Sequence, residues 1–97
     1  MRKRGKIDAN QPEIVKELRS RGVSVWSTAN LGDGFPDIIC GYRGVNFLFE
    51  IKNPDMPPSK KKLTADELQF FNTWSGQVHK IETAQDAIKI MMDYFGE

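Results

Sequence analysis

Two apolar runs, residues 37–42 (DIICGY) and 45–52 (VNFLFEIK), are separated only by Arg43-Gly44, and this constrains the chain more than any other feature. Both runs are rich in Ile, Val and Phe and read as strands. A two-residue connection between such strands makes a β-hairpin that pairs Tyr42 with Val45. Carried along the ladder, that register sets Asp37 directly opposite Glu50, with Cβ atoms about 5 Å apart. Side chains alternate with period two along a strand, so Lys52 falls on the same face as Glu50. Like charges that face each other destabilise a hairpin, and two carboxylates in this position need a compensating cation. Lys52 supplies one positive charge, and a divalent metal is the obvious second. Two carboxylates and a lysine converging beside a sheet fit a metal-assisted hydrolytic site. The plainer alternative is a surface hairpin whose Lys52 forms salt bridges with Asp37 and Glu50.

The rest of the chain supplies a frame for that hairpin, in the order α-β-β-β-α-β-α. A first helix spans residues 11–21, with Pro12 in its first turn, Ile14, Val15 and Leu18 on its apolar face, and Gly22 as its stop. A strand over residues 23–28 carries Trp26, and the loop Asn30-Leu31-Gly32-Asp33-Gly34 leads into the hairpin. The hairpin strands are apolar on both faces, which predicts a sheet covered on both sides for much of its length. Residues 53–63, rich in proline and lysine, read as a long irregular loop. Thr64-Ala65-Asp66-Glu67 is a capping box that starts a second helix, with Leu68, Phe71 and Trp74 near one face, Phe70 pointing away from them, and Gly76 as its stop. Residues 77–82 form a short strand. Thr83 caps a last helix striped with Ala84, Ala87, Ile88, Met91 and Phe95.

At 97 residues and 39% hydrophobic, the chain makes one globular domain with a mixed sheet flanked by helices, an α/β or α+β fold. No apolar run approaches the ~20 residues of a membrane span. The basic start is followed by polar sequence, so no signal peptide is visible. The single cysteine, Cys40, excludes an internal disulfide and a cysteine-based zinc cluster and suits a reducing cytoplasm. A formal net charge of +1 does not advertise nucleic-acid binding, but the charge is clustered. Arg2, Lys3, Arg4 and Lys6 form a basic tail over residues 1–7, and Lys60, Lys61 and Lys62 adjoin one another. Each cluster fits either a solvated segment or contact with phosphate.

Gly34-Phe35-Pro36-Asp37 followed by Glu50-Ile51-Lys52 resembles the G-x-P-D and E-x-K motifs of the PD-(D/E)xK nuclease superfamily. Further pieces resemble its stand-alone VRR-NUC (virus-type replication-repair nuclease) branch. These are Asp8-Ala9-Asn10-Gln11 with Glu13, Gly32-Asp33-Gly34, Asn53-Pro54, and Ser59 with Leu63-Thr64, Glu67 and Trp74, and they cover nearly the whole chain in order. The resemblance implies a restriction-endonuclease-like core and Mg²⁺- or Mn²⁺-dependent cleavage of phosphodiester bonds. Asp37, Glu50 and the Ile51 carbonyl would be metal ligands, Lys52 would orient the attacking water, and Glu13 on the first helix would complete the metal site. The implied activity is structure-selective endonuclease action on branched DNA, of the Holliday-junction-resolving kind, in replication, recombination or repair. Flap cleavage, nonspecific DNA or RNA cleavage, and a non-catalytic nucleic-acid-binding domain that kept the fold are the alternatives. A cytoplasmic protein of prokaryotic or viral origin is the matching setting.

Several residues carry two readings. With Asn10 as N-cap, Glu13 would close a capping box instead of holding a metal. Asp33 suits a turn. Glu67 is accounted for by its helix cap, although Glu67 and Gln69 could face the site. The lone His79 argues against a histidine general base. Trp26 and Trp74 have the periodicity of core residues, with stacking on exposed bases as the alternative. Arg43 at the hairpin tip, with Lys60, Lys61 and Lys62, could touch phosphate. A small chain that cuts two strands of a symmetric junction would have to pair, which predicts a homodimer. Trp26, Phe70, Trp74, Met92, Tyr94 and Phe95 are its candidate surface.

Overall fold

The computed structural model describes residues 8–97, so the basic tail expected over residues 1–7 lies outside the described residues. The strands are β1 (Ser24–Ser27), β2 (Ile38–Tyr42), β3 (Val45–Ile51) and β4 (Val78–Ile81). The helices are α1 (Gln11–Ser20), α2 (Pro58–Lys61), α3 (Ala65–Thr73) and α4 (Ala84–Tyr94), and a 3-10 turn covers Ala29–Leu31. The domain is therefore α+β, with a mixed four-stranded sheet in the order β1-β2-β3-β4. β1, β2 and β3 run antiparallel in succession, whereas β4 lies parallel to β3. A parallel neighbour cannot be reached by a tight turn. The segment carrying α2 and α3 makes that crossover.

The hairpin has the expected register, from Tyr42↔Val45 to Ile38↔Phe49. Its turn puts Arg43 at φ 52° and Gly44 at φ 82°. Two left-handed residues in a two-residue connection make the turn whose twist matches the flanking strands, which is why glycine occupies the second position. Alternation then sorts the side chains. Val25, Cys40 and Phe47 form one cross-strand row, Ile38 and Phe49 the next, and Ile51 and Ile81 a third. All are buried beneath Ile14 and Leu18 of α1 and Ala84, Ala87 and Met91 of α4. Each large apolar side chain fully removed from water contributes about 1.5–3 kcal/mol, so this face is where the fold's stability is concentrated.

The opposite face departs from the expectation of cover on both sides. Leu48 is buried there, but Trp26 is 75% exposed, and no residue of α3 is buried. The reason is positional. Trp26 lies on an edge strand and points away from the α1–α4 layer, so its periodicity is that of a core residue while its surroundings are solvent. The open edge of β1 is covered differently: Arg19 Nη2 donates to the Val25 carbonyl at 2.8 Å. A charged side chain on that carbonyl hinders the edge from pairing with another strand.

The helix ends follow local rules, with three corrections. Thr64 with Glu67 and Thr83 with Asp86 form complete capping boxes. Asn10 makes no cap bond. Its Nδ2 donates instead to the carbonyls of Lys52 (3.3 Å) and Glu82 (3.0 Å), tying the start of α1 to the ends of β3 and β4. The capping role considered for Glu13 is therefore absent. Within residues 53–63, the second proline of Pro57-Pro58 starts the short helix α2, since its fixed φ and missing N–H suit a first turn. α3 stops at Thr73, before Gly76, with Trp74 already extended. Phe70 does not point away from Trp74: one turn apart, their rings stack at 5.0 Å, and Phe35 meets Phe70 edge-on at 5.1 Å. Among the described residues no helix is long and apolar enough to cross a membrane.

Candidate active site

β2 is shorter than β3, and the site lies where the difference leaves backbone uncovered. The ladder ends at Ile38↔Phe49. Asp37, one residue earlier, donates its N–H to the Phe49 carbonyl at 3.0 Å and accepts from the Thr28 N–H at 2.8 Å. Beyond that point the buried Ile51 N–H has no strand opposite it, and a buried donor must be satisfied. Asp37 Oδ2 accepts it at 2.7 Å. The aspartate thus replaces the missing strand, which holds its carboxylate beside the end of β3.

Pro36 and Gly34 fix the approach to Asp37. The Pro36 side chain is fully buried, and its carbonyl accepts from Thr28 Oγ1 at 2.6 Å. Gly34 has φ 83°, and a Cβ there would lie 2.6 Å from the carbonyl carbon and oxygen of Asp66. Only glycine permits this close approach, which presses the first turn of α3 onto the loop before Asp37. On the other side, the Lys52 N–H donates to the Ile81 carbonyl at 2.9 Å, fixing the end of β3 against β4.

Asp37, Glu50 and Lys52 are brought together just past the end of the paired register, and all are buried, at 7%, 4% and 8% exposure. Lys52 Nζ stands 3.6 Å from Glu50 Oε2 and 2.8 Å from Glu67 Oε1. The cluster therefore sets one ammonium against three carboxylates in a poorly solvated place. Burial pushes the Glu50 carboxyl up to about 10, and the charges of Asp37 and Glu67 add to the rise. Burial also pushes Asp37 up to about 6, against the lowering effect of the Ile51 N–H and of Glu50, while Asp8 and Glu67 raise it further. Burial alone would depress Lys52, but Glu67, Glu50 and Asp37 together hold it above its ordinary value. Glu67 resists its own burial through Lys52 and the Thr64 N–H, which hold it below the usual carboxylate range. Glu50 Oε1 is buried and accepts no hydrogen bond.

The other expected site residues lie elsewhere. Glu13 is exposed on α1 and lines a separate cleft of about 280 Å³ with Asn10, Glu17, Asp55 and Glu82. Of Ile51, the contact with Asp37 is made by the amide. Arg43 pairs with Glu97 and lies 4.7 Å over the Phe95 ring. The length of β2 separates it from Asp37 by roughly 20 Å. Lys60 and Lys62 are exposed, while Lys61 stands 3.6 Å from Glu82. His79 contacts Gln77 at 3.0 Å, and burial lowers its pKa. Among the described residues no group of three or more His, Cys, Asp or Glu side chains is disposed to hold a metal ion.

Glu67 faces the site, the second of its two readings, and Asp8 and Gln11 exceed the sequence reading. Glu67 does more than cap its helix, because the oxygen that accepts the Thr64 N–H at 2.9 Å also binds Lys52. The available signal was chemical capacity: a carboxylate has about four acceptor positions, and a capping box uses one. Asp8 and Gln11 also acquire places. Asp8 lies near enough to act on Asp37. Gln11 is 4% exposed, with Nε2 3.5 Å from Ser27 Oγ and a buried Oε1 that accepts no hydrogen bond. The chain has no match among models of known protein families, curated proteins or solved structures.

Proposed function

We propose that this chain is a metal-dependent phosphodiesterase acting on DNA, a structure-selective endonuclease whose working groups are Asp37, Glu50 and Lys52. The observation that carries the reading is the cost of the cluster. Like-charged carboxylates have been moved out of water and share one ammonium, with Glu50 raised to about 10 and its Oε1 without a partner. Perturbed groups of this kind concentrate at functional sites. A structural salt bridge would match its charges; this cluster sets three carboxyl groups against one ammonium.

The residues fit a hard divalent cation. Mg²⁺ is commonly held by one or two carboxylates with water and substrate phosphate completing the shell, so a third acidic residue is not required. Asp37 and Glu50 would hold the ion, with the Ile51 carbonyl as a further oxygen and Glu13 as a more remote candidate. When bound, Mg²⁺ or Mn²⁺ would lower the pKa of a water and offset charge developing on the phosphate. Lys52 would bring a fixed ammonium to the same face, orient the attacking water and stabilise the same charge. The Ile51 N–H keeps Asp37 in one rotamer, which is the preorganisation such a site needs.

The ordered motifs favour branched DNA. Exposed Lys60 and Lys62 on the crossover segment are the candidate phosphate contacts, with Lys61 and Arg43 already engaged within the chain. A two-fold dimer would present paired sites to a symmetric junction. Trp26, Trp74, Met92 and Tyr94 are exposed enough to take part, whereas Phe95 packs against Tyr42 within the chain. The test is a cleavage panel of four-way, flap, duplex and single-stranded DNA and of RNA, with Mg²⁺ or Mn²⁺. Metal-dependent nicking of branched DNA, with little cutting of RNA, is expected. Absence of cleavage on every substrate with either metal would overturn the reading.

A further inference from the structure

We propose that Glu67 is the positioning residue for Lys52: its carboxylate, fixed in the first turn of α3, sets where the ammonium stands relative to Asp37 and Glu50. The inference rests on the phosphodiesterase reading of this site. Lysine carries its charge on a flexible four-carbon stem, so it holds one position only against a fixed anion. Lys52 Nζ is 2.8 Å from Glu67 Oε1 and 3.6 Å from Glu50 Oε2. Its hydrogen bond therefore goes to Glu67, while only its charge reaches Glu50.

That division matters for the site. An ammonium bonded to Glu50 would occupy an oxygen needed by a cation. Drawn toward Glu67, it stands 3.6 Å from Glu50 Oε2, outside hydrogen-bond range, and stays close enough to act on the same phosphate. Glu67 is in turn held from two directions. Its Oε1 accepts the Thr64 N–H at 2.9 Å, and its own N–H donates to Thr64 Oγ1 at 3.2 Å. The start of α3 is pressed against Gly34, three residues before Asp37, with no room for a Cβ between them. The loop that delivers Asp37 thus also locates the anion that holds Lys52.

The cap and the charge can be separated, because a capping box accepts glutamine as well as glutamate at this position. Glu67→Gln keeps the cap and removes the anion. Thr64→Ala removes the cap's hydroxyl but retains the backbone N–H that Glu67 accepts. The assay is steady-state cleavage of a four-way junction with Mg²⁺, alongside Tm and the Lys52 side-chain ammonium signal in ¹⁵N NMR. Glu67→Gln is expected to remain folded with a modestly lower Tm and to leave KM unchanged while kcat falls about 10- to 100-fold, as when a partner that orients a working group is lost. The Lys52 signal, resolved in the wild type, should broaden into exchange with water. Thr64→Ala should lower Tm and reduce kcat of the folded protein much less than Glu67→Gln does, because the Glu67 carboxylate still binds Lys52. A cleaving wild type with a Glu67→Gln variant of equal kcat, or with an undisturbed Lys52 signal, would sink the role of Glu67 alone. A wild type that cleaves nothing would overturn the phosphodiesterase reading and this inference with it.

Discussion

Phe49 and Glu50 are neighbours on one strand and are buried to similar depth, at 0% and 4% exposure, yet they face opposite surroundings. Phe49 lies among Ile38, Phe47 and Ile51 beneath α1 and α4, where burial removes apolar surface from water. Glu50 lies with Asp37, Lys52 and Glu67, where the same burial strips charge of its solvent. The first environment stabilises the fold, and the second opposes it. Burial alone therefore does not identify a core. The difference also teaches which substitutions should separate stability from activity.

The largest separation is expected at the two carboxylates. Asp37→Asn and Glu50→Gln should each reduce metal-dependent cleavage by about 10³-fold or more, as removal of a directly acting electrostatic group does. Circular dichroism should show both variants folded, since each removes a carboxyl group whose ionisation is opposed by burial. Loss of fold in both would break the contrast. At Phe49 the effect should reverse. Phe49→Ala should cost about 3–5 kcal/mol in urea unfolding, by opening a cavity in the packed face. Retention of full stability by this variant would move the fold's support elsewhere.

A third effect is pH-dependent. Asp37 and Glu50 have folded-state pKa values raised above their ordinary ones, to about 6 and about 10. The folded state therefore holds protons that the unfolded state releases, and stability falls as pH rises through those values. Metal-free protein should lose on the order of 1 kcal/mol per pH unit between pH 5 and pH 7. Glu67, held below its ordinary range, is already ionised across that window and does not cancel the trend. Glu50→Gln should flatten the profile, and an equal slope in the variant would assign it to other groups. The smallest effect belongs to the crossover lysines. Replacing Lys60 and Lys62 with alanine should reduce the salt dependence of DNA binding by roughly one unit of slope per lost phosphate contact. An unchanged slope would return both to a solvated surface.

What could be read in advance was local in origin. Two apolar runs and a two-residue tip determine a register, and the register alone sets Asp37 opposite Glu50. Thr64-x-x-Glu67 determines a helix start. What could not be read depends on how distant segments meet. The second partner of Glu67 follows from a crossover that returns α3 to the end of β3. The role of Asn10 needs the carbonyls of Lys52 and Glu82, 42 and 72 residues away. Arg43 was available for phosphate until the chain's end brought Glu97 and Phe95 to it. Trp26 shows the limit of periodicity: alternation gives the face of a strand but not whether any layer covers it.

The central claim is that the cluster at the end of β3 is kept for a cation at the expense of the metal-free fold. The most direct measurement is the unfolding free energy of wild type and Glu50→Gln, each with and without Mn²⁺. At neutral pH and without metal, the variant should be the more stable by on the order of 2 kcal/mol, because Glu50 must take up a proton to be buried and glutamine need not. At about 100 times its Kd, Mn²⁺ should stabilise the wild type by about 2.7 kcal/mol and leave the variant nearly unmoved, so that the order reverses or closes. A metal-free variant less stable than wild type, together with a wild type that Mn²⁺ does not stabilise, would contradict the account.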